Sequence, residues 1–133
     1  MIGVIDILRD DATLGALVGG TGTSARVYPI ERAQKDGLPA VTVTIDAIEP
    51  YDTKSGVSTL DEVQVSVVSY GSTYDSARQT SNACRGALDR TSGTYNTEVI
   101  QSIQFQDQYT DIEEINNASV YFIEQIYNVR LVR

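Results

Sequence analysis

Between residues 40 and 70 apolar and polar side chains alternate in two separate runs, and no other pattern in the sequence narrows the fold as much. Val41, Val43, Ile45 and Ala47 interleave with Thr42, Thr44 and Asp46; Val63, Val65 and Val67 interleave with Gln64 and Ser66. Successive side chains of a strand point to opposite faces, so a period of two buries one face and wets the other. Two such runs, adjacent in sequence, predict neighbouring antiparallel strands. Residues 49–59 hold Pro50, Asp52, Ser55 and Gly56, a turn-forming mixture too long for a tight hairpin. The reading there is a mobile loop that projects from the sheet.

Elsewhere the spacing changes to three and four. Ile2, Ile5, Leu8, Leu14, Leu17 and Val18 suit an amphipathic helix over residues 2–18, with Asp10-Asp11 as the place where it can break in two. Gly19, Gly20 and Gly22 then stop it, because glycine accepts the left-handed conformation that closes a helix end. Residues 27–30 are a short extended piece, held to a sheet edge or a loop by Pro29, which has no ladder donor. A second helix is predicted over residues 73–89, with Ser72 as N-cap and Tyr74, Ala77, Ser81, Cys84 and Leu88 along one stripe. Its small residues allow close approach to a sheet, and Gly93 marks the following turn. Val99, Ile103 and Phe105, then Tyr121, Ile123, Tyr127, Val129 and Leu131, read as a second long hairpin joined by residues 110–118. The expected fold class is α+β: one domain over residues 1–133, with a mixed or antiparallel sheet of about four strands and two main helices packed on one face.

The charge balance removes several functions. With 10 Lys+Arg against 18 Asp+Glu the formal net charge is −8, the opposite of the basic footprint that a phosphate backbone selects, so no specific nucleic-acid binding is expected. The imbalance is local: between Arg90 and Arg130 there is no Lys or Arg, while Glu98, Asp107, Asp111, Glu113, Glu114 and Glu124 lie there. The second hairpin is therefore an acidic arm. No apolar run reaches the roughly 20 residues that span a bilayer, and Asp6 interrupts the first apolar residues without a basic segment ahead of them, so neither a membrane span nor a signal peptide is expected. The single cysteine, Cys84, fits synthesis in a reducing cytoplasm.

No bond-making apparatus emerges. The chain has no histidine, which excludes a Ser-His-Asp triad and leaves Cys84, on an apolar helical stripe, without an activating base. Residues 19–24 look like a phosphate loop, yet the helix precedes them and no lysine follows, so a connector is the better reading. Adjacent carboxylates such as Glu113 and Glu114 point to opposite faces of a strand and cannot converge. Asp107, Asp111, Glu113 and Glu114 lack the glycine and terminal glutamate of a calcium loop, and a basic partner surface suits them better. No catalytic residue, cofactor or metal is expected. Tyr51, Asp52 and Lys54 in the first long connection, and Tyr109, Asp111, Glu113 and Glu114 in the second, are the candidate partner-binding residues, because those stretches are long, polar and project from opposite strand ends.

The order of short segments adds an expectation of another kind. Asp11-Ala12-Thr13-Leu14-Gly15-Ala16-Leu17-Val18-Gly19 leads into Arg26-Val27-Tyr28-Pro29; Leu38-Pro39-Ala40-Val41-Thr42-Val43 follows, then Val63-Gln64-Val65-Ser66-Val67, Tyr74-Asp75-Ser76-Ala77-Arg78 and Ala87-Leu88-Asp89. In this order the segments resemble the tail-completion or tail-terminator family of long-tailed bacteriophages. The resemblance implies a structural virion protein of the neck region, made in the host cytoplasm, that forms a ring, usually a hexamer, at the head-proximal end of the tail tube. Such a ring halts tube polymerisation and offers a joining surface. Its implied partners are further copies of itself, the tail tube protein and head-completion or connector proteins, with DNA passing through the bore. Two other classes stay open: a different head-completion or neck connector protein, and a small ligand-binding or enzymatic α+β domain.

Overall fold

The computed structural model describes residues 2–20, 27–29, 40–53, 56–95, 98–115 and 118–132. In chain order the elements are α1 (Ile2–Asp10), α2 (Ala12–Gly15), β1 (Val27–Pro29), β2 (Ala40–Thr53), β3 (Gly56–Gly71), α3 (Tyr74–Leu88), β4 (Gly93–Tyr95), β5 (Glu98–Ile115) and β6 (Ala118–Val132). The strands make one sheet in the order β1-β2-β3-β6-β5-β4. β1 runs parallel to β2, and every other pairing is antiparallel, so the sheet is mixed. The α+β class is as expected, but the described residues hold six strands rather than about four, and three helices rather than two. The additional strands are the three-residue edge pieces β1 and β4: β1 is the sheet-edge alternative expected for residues 27–30, and β4 begins at Gly93, where a turn is expected, being too short to show a period.

The additional helix comes from the break at Asp10-Asp11. Asp11 is the N-cap of α2, its carboxylate accepting from the Leu14 N–H at 3.2 Å. A capping side chain satisfies a helix-end donor and so starts a new helix where the old one ends. After α2 the chain passes into the left-handed region at Gly19 (φ 90°) and Gly20 (φ 137°), where only glycine goes without strain. α3 begins one residue later than expected: Thr73, not Ser72, is the N-cap, accepting from the Ser76 N–H at 3.1 Å, and Asp75 sits inside the first turn.

Both long connections are shorter than the sequence reading. Pairing of β2 with β3 continues to Thr53 opposite Gly56, and pairing of β5 with β6 to Ile115 opposite Ala118. Residues 49–53 and 56–59, where composition predicts a loop, are strand, as are residues 110–115 and residue 118. Pro50 is compatible with a strand because, among the described residues, β1 covers β2 only at Val41, Thr42 and Val43, and farther along β2 is an edge strand, where proline is tolerated. The arms do leave the sheet at opposite ends. β3 and β6 pair from Leu60–Val132 to Gly71–Tyr121, so the first arm overhangs beyond Val132 and the second beyond Gly71.

The helices share one face of the sheet. Val4, Leu8, Leu14 and Val18 meet Cys84 and Leu88 of α3 and the inward row Val41, Val43, Val63, Val65, Val67, Ile103, Tyr127 and Val129, all essentially buried. Each such aliphatic side chain contributes roughly 1.5–3 kcal/mol on burial. α3 comes close because its hydroxyls are satisfied within the helix, Thr80 Oγ1 on the Ser76 carbonyl at 2.8 Å and Ser81 Oγ on that of Arg78 at 2.9 Å. Ala77, Ser81, Cys84 and Leu88 are buried as the stripe requires, while Tyr74 is exposed.

Candidate functional site

Three concave regions among the described residues offer room for chemistry. An open groove of roughly 580 Å³ between α2 and α3 is lined by Thr13, Ala16, Leu17, Asn82, Ala83 and Gly86, with Asp11 at its rim. Asp11 is already engaged as a helix cap, and nothing in the lining pairs a nucleophile with a base. Cys84 lies fully buried behind it, its Sγ 3.8 Å from Ser69 Oγ. Burial pushes its pKa from 9.0 up to about 12, against the lowering effect of the Ser69 hydrogen bond. A thiol held protonated in this way is an inert packing group.

That shift sets an expected pH dependence. The folded thiol holds its proton more tightly than the unfolded one, so the associated stability is whole below about pH 9 and is lost as pH climbs toward 12. Tyr127, raised mainly by desolvation, acts in the same direction at higher pH. Urea midpoints measured between pH 8 and 11 are expected to fall less steeply for Cys84→Ala than for the wild type; parallel curves would assign the whole slope to other groups.

A second region joins the end of α3 to the sheet. The Arg85 guanidinium stacks over the Phe105 ring at 4.0 Å, and Phe105 meets Tyr127 edge to face at 5.7 Å. Asp89 accepts the Phe105 N–H at 3.2 Å and lies 3.9 Å from Arg85. Arg90, in the left-handed region at φ 64°, donates its N–H to the Ile103 carbonyl at 2.8 Å. Helix and turn together occupy the outer edge of β5 as far as Phe105. They form a structural clasp, and the strand runs past it.

The third region begins there. A bulge between Phe105 and Asp107 shifts the alternation by one, which puts Asp107, Tyr109 and Asp111 on the sheet face away from the helices, opposite Ile126, Glu124 and Phe122. Asp107 Oδ2 accepts from the Tyr109 hydroxyl at 2.8 Å and Oδ1 from the Gln108 N–H at 2.8 Å; Asp111 Oδ1 accepts the Ile112 N–H at 2.8 Å. The Asp107 hydrogen bond, aided by that carboxylate's charge, holds the Tyr109 hydroxyl above its ordinary pKa. Gln64, Gln106, Ile126 and Asn128 line a shallow depression beside this row. On the same face Asn128 donates to Glu62 at 2.7 Å, with Arg130 4.0 Å from that carboxylate. No group of three metal-ligating side chains occurs among the described residues.

The candidate residues are thus brought together only in part. Tyr109 and Asp111 are exposed neighbours on one face of β5. Glu113 and Glu114 continue the same strand, in register with Val120 and Ser119. Tyr51 and Asp52 belong to the other arm, Tyr51 in register with Leu60, and Lys54 lies outside the described residues. The two sets sit on hairpins that overhang opposite ends of the sheet and form no common site. The sequence groups Asp107 with Asp111, Glu113 and Glu114 as an acidic surface for a basic partner but does not place it on the strand, and the Arg85–Phe105 clasp is not among the candidates. A bulge hides the phase of the first, and the second is a contact between distant residues that no local spacing records. No helix among the described residues is long and apolar enough to cross a membrane.

No curated protein sequence matches the chain. Among solved structures, a chain from the virion of a native gene transfer agent particle is similar in fold, with a TM-score of 0.71 at 20% identity over 99% of this chain and 93% of that one. The profile of the tail completion protein gp17 family matches residues 3–118, from the first helix to the start of the last strand. That match takes in the first hairpin, α3 and the whole of β5 but stops at the first residue of β6, and by it the chain belongs to the tail completion protein gp17 family, structural components of the virion tail.

Proposed function

We infer that this protein closes into a ring at the head-proximal end of the tail tube, ends tube growth there and presents its far side to head-completion proteins. The observation that carries the reading is the pair of unlike hairpin arms overhanging opposite ends of the sheet. A two-fold contact uses the same patch on both partners and stops at a dimer. A closed ring needs two different surfaces on each subunit, engaged head to tail. Two long arms directed opposite ways supply surfaces of that kind, and six copies are the expected closure. One ring face matches a tube layer and the other accepts no further layer. The protein works through shape and association, without catalysis or a cofactor. Each copy brings a formal charge of −8, so a bore lined by the acidic arm repels DNA and lets it pass without sticking.

Native mass measurement of the purified protein, alone and with tail tube protein, tests this. A discrete ring is expected, and only monomers under both conditions would remove the reading. Neutralising Asp111→Asn, Glu113→Gln and Glu114→Gln together is expected to disturb assembly while leaving the melting temperature nearly unchanged, because each amide keeps the shape of the carboxylate it replaces and surface charge contributes little to folding. Particles lacking the protein separate the roles: overlong tails mark a terminator, and tails of normal length left unattached mark a joining protein, the second reading.

A further inference from the structure

We propose that the outer edge of β5, residues 106–115, accepts an added strand from a different protein whose extended segment carries lysine or arginine. The open ladder carries the argument. β5 pairs with β6 along its whole length on one side, but on the other only with β4 at Glu98, Val99 and Ile100, and the clasp ends at Phe105. Beyond that point no strand covers the edge among the described residues, which leaves about 30 Å of backbone at the usual strand rise. Such an edge is a template for strand addition unless something blocks it.

Here the block is a pair of carboxylates. The N–H groups of Gln108 and Ile112 point away from β6, and each is capped at 2.8 Å by the carboxylate of the residue before it, Asp107 and Asp111. Thr110, between them, presents its backbone to the same side by the strand's alternation. An incoming strand must displace both caps. A cationic one draws each carboxylate off its amide and into an ion pair, so that the act which neutralises the acid also frees the ladder donor. An acidic one leaves the caps in place and sets like charges opposite each other, which is unfavourable across a ladder.

Among the described residues this chain's own edge strands are uncharged or acidic, never cationic. β1, β2, β4 and β5 contain no Lys or Arg within their described spans, and β2 carries Asp46, Glu49 and Asp52. No described edge of a second copy therefore offers the cation that would draw the caps away, and the occupant is a segment of another protein. The inference deepens the tail-completion reading by giving the open β5 edge a partner chemistry while leaving the faces and tips of both arms to the ring contacts, and its failure would leave ring closure, which rests on mass, untouched.

The test is amide hydrogen exchange on the isotopically labelled full chain, with two synthetic strands of about nine residues as probes, one alternating Lys with Thr and the other Glu with Thr. The lysine strand is expected to slow exchange at Gln108, Thr110 and Ile112, with affinity falling as salt rises and about five- to tenfold in Asp107→Asn/Asp111→Asn, which keeps the oxygen caps but loses the charge. Asp107→Lys/Asp111→Lys should bind the glutamate strand instead. The spectra of both variants report that the fold is retained. No protection by the lysine strand, equal protection by both strands, or protection confined to the helical face would each overturn the proposal. Protection of these amides that grows with protein concentration in the absence of any probe would also overturn it, since a second copy would then be the occupant.

Discussion

Tyr127→Ala is expected to lower the unfolding free energy by about 4 kcal/mol, within the range for truncating a buried aromatic ring. Tyr127 is 1% exposed, with Val65 and Phe105 in register on the two flanking strands. Its hydroxyl donates at 2.7 Å to Oε1 of Gln125, itself fully buried, and Gln125 Nε2 donates at 3.1 Å to Gln108. Removing the ring opens a cavity, strands the Gln125 oxygen and takes away the edge on which Phe105 rests under Arg85. Loss of the ring therefore loosens the clasp that closes the first part of the β5 edge. Tyr127→Phe separates the contributions: the ring stays and only the buried acceptor is orphaned, at a cost of about 1–2 kcal/mol. Urea unfolding of the two variants measures both. A loss under 1 kcal/mol in Tyr127→Ala would mean that the ring is not at the centre of the core and that the β3-β6-β5 register is wrong.

The distribution of such couplings explains what the sequence revealed. Val41, Val43, Val63, Val65 and Val67 were legible because a strand's phase is written in the strand itself, and the antiparallel pairing of β2 with β3 followed from their adjacency. α3 was legible through the spacing of Ala77, Ser81, Cys84 and Leu88. The hairpin ends were not. Pro50, Gly56 and the polar residues after Tyr109 have the composition of loops, yet an edge strand tolerates proline and an exposed arm tolerates charge, so composition and conformation part company at these positions. Of the site, the acidity of the second arm could be read directly, since it needs only a count of charges between Arg90 and Arg130. The role of Asp107 could not, because the bulge after Phe105 decides which face that carboxylate occupies and which amide it caps. Resemblance of ordered segments reached the family, as the match over residues 3–118 bears out, without resolving either arm.

A pair of glycine substitutions should move stability in opposite directions. Gly71 ends β3, where the chain turns into α3, and an added Cβ would stand 2.6 Å from the Ala77 nitrogen and 3.0 Å from the Ser76 Cβ. The nearest of these is backbone, held by the Ala77 N–H bond to the Thr73 carbonyl at 3.1 Å, and its neighbour Ser76 has its own N–H capped by Thr73. No side chain can swing aside, so the first turn of α3 must move off the sheet, and Gly71→Ala is expected to cost about 3 kcal/mol, the upper part of the overpacking range. Gly86, by contrast, would direct its Cβ into open space in the last turn of α3. Gly86→Ala replaces the poorer helix former by the better one with nothing to displace, and is expected to add about 1 kcal/mol. Because both changes add the same methyl group, thermal or urea unfolding of the two reads the local geometry and not the chemistry of the substitution. Equal and small effects at both sites would show that β3 does not meet the start of α3 as closely as described. A stabilised Gly86→Ala that still assembled normally would further show that the groove between α2 and α3 has room to spare at that position in the assembled tail.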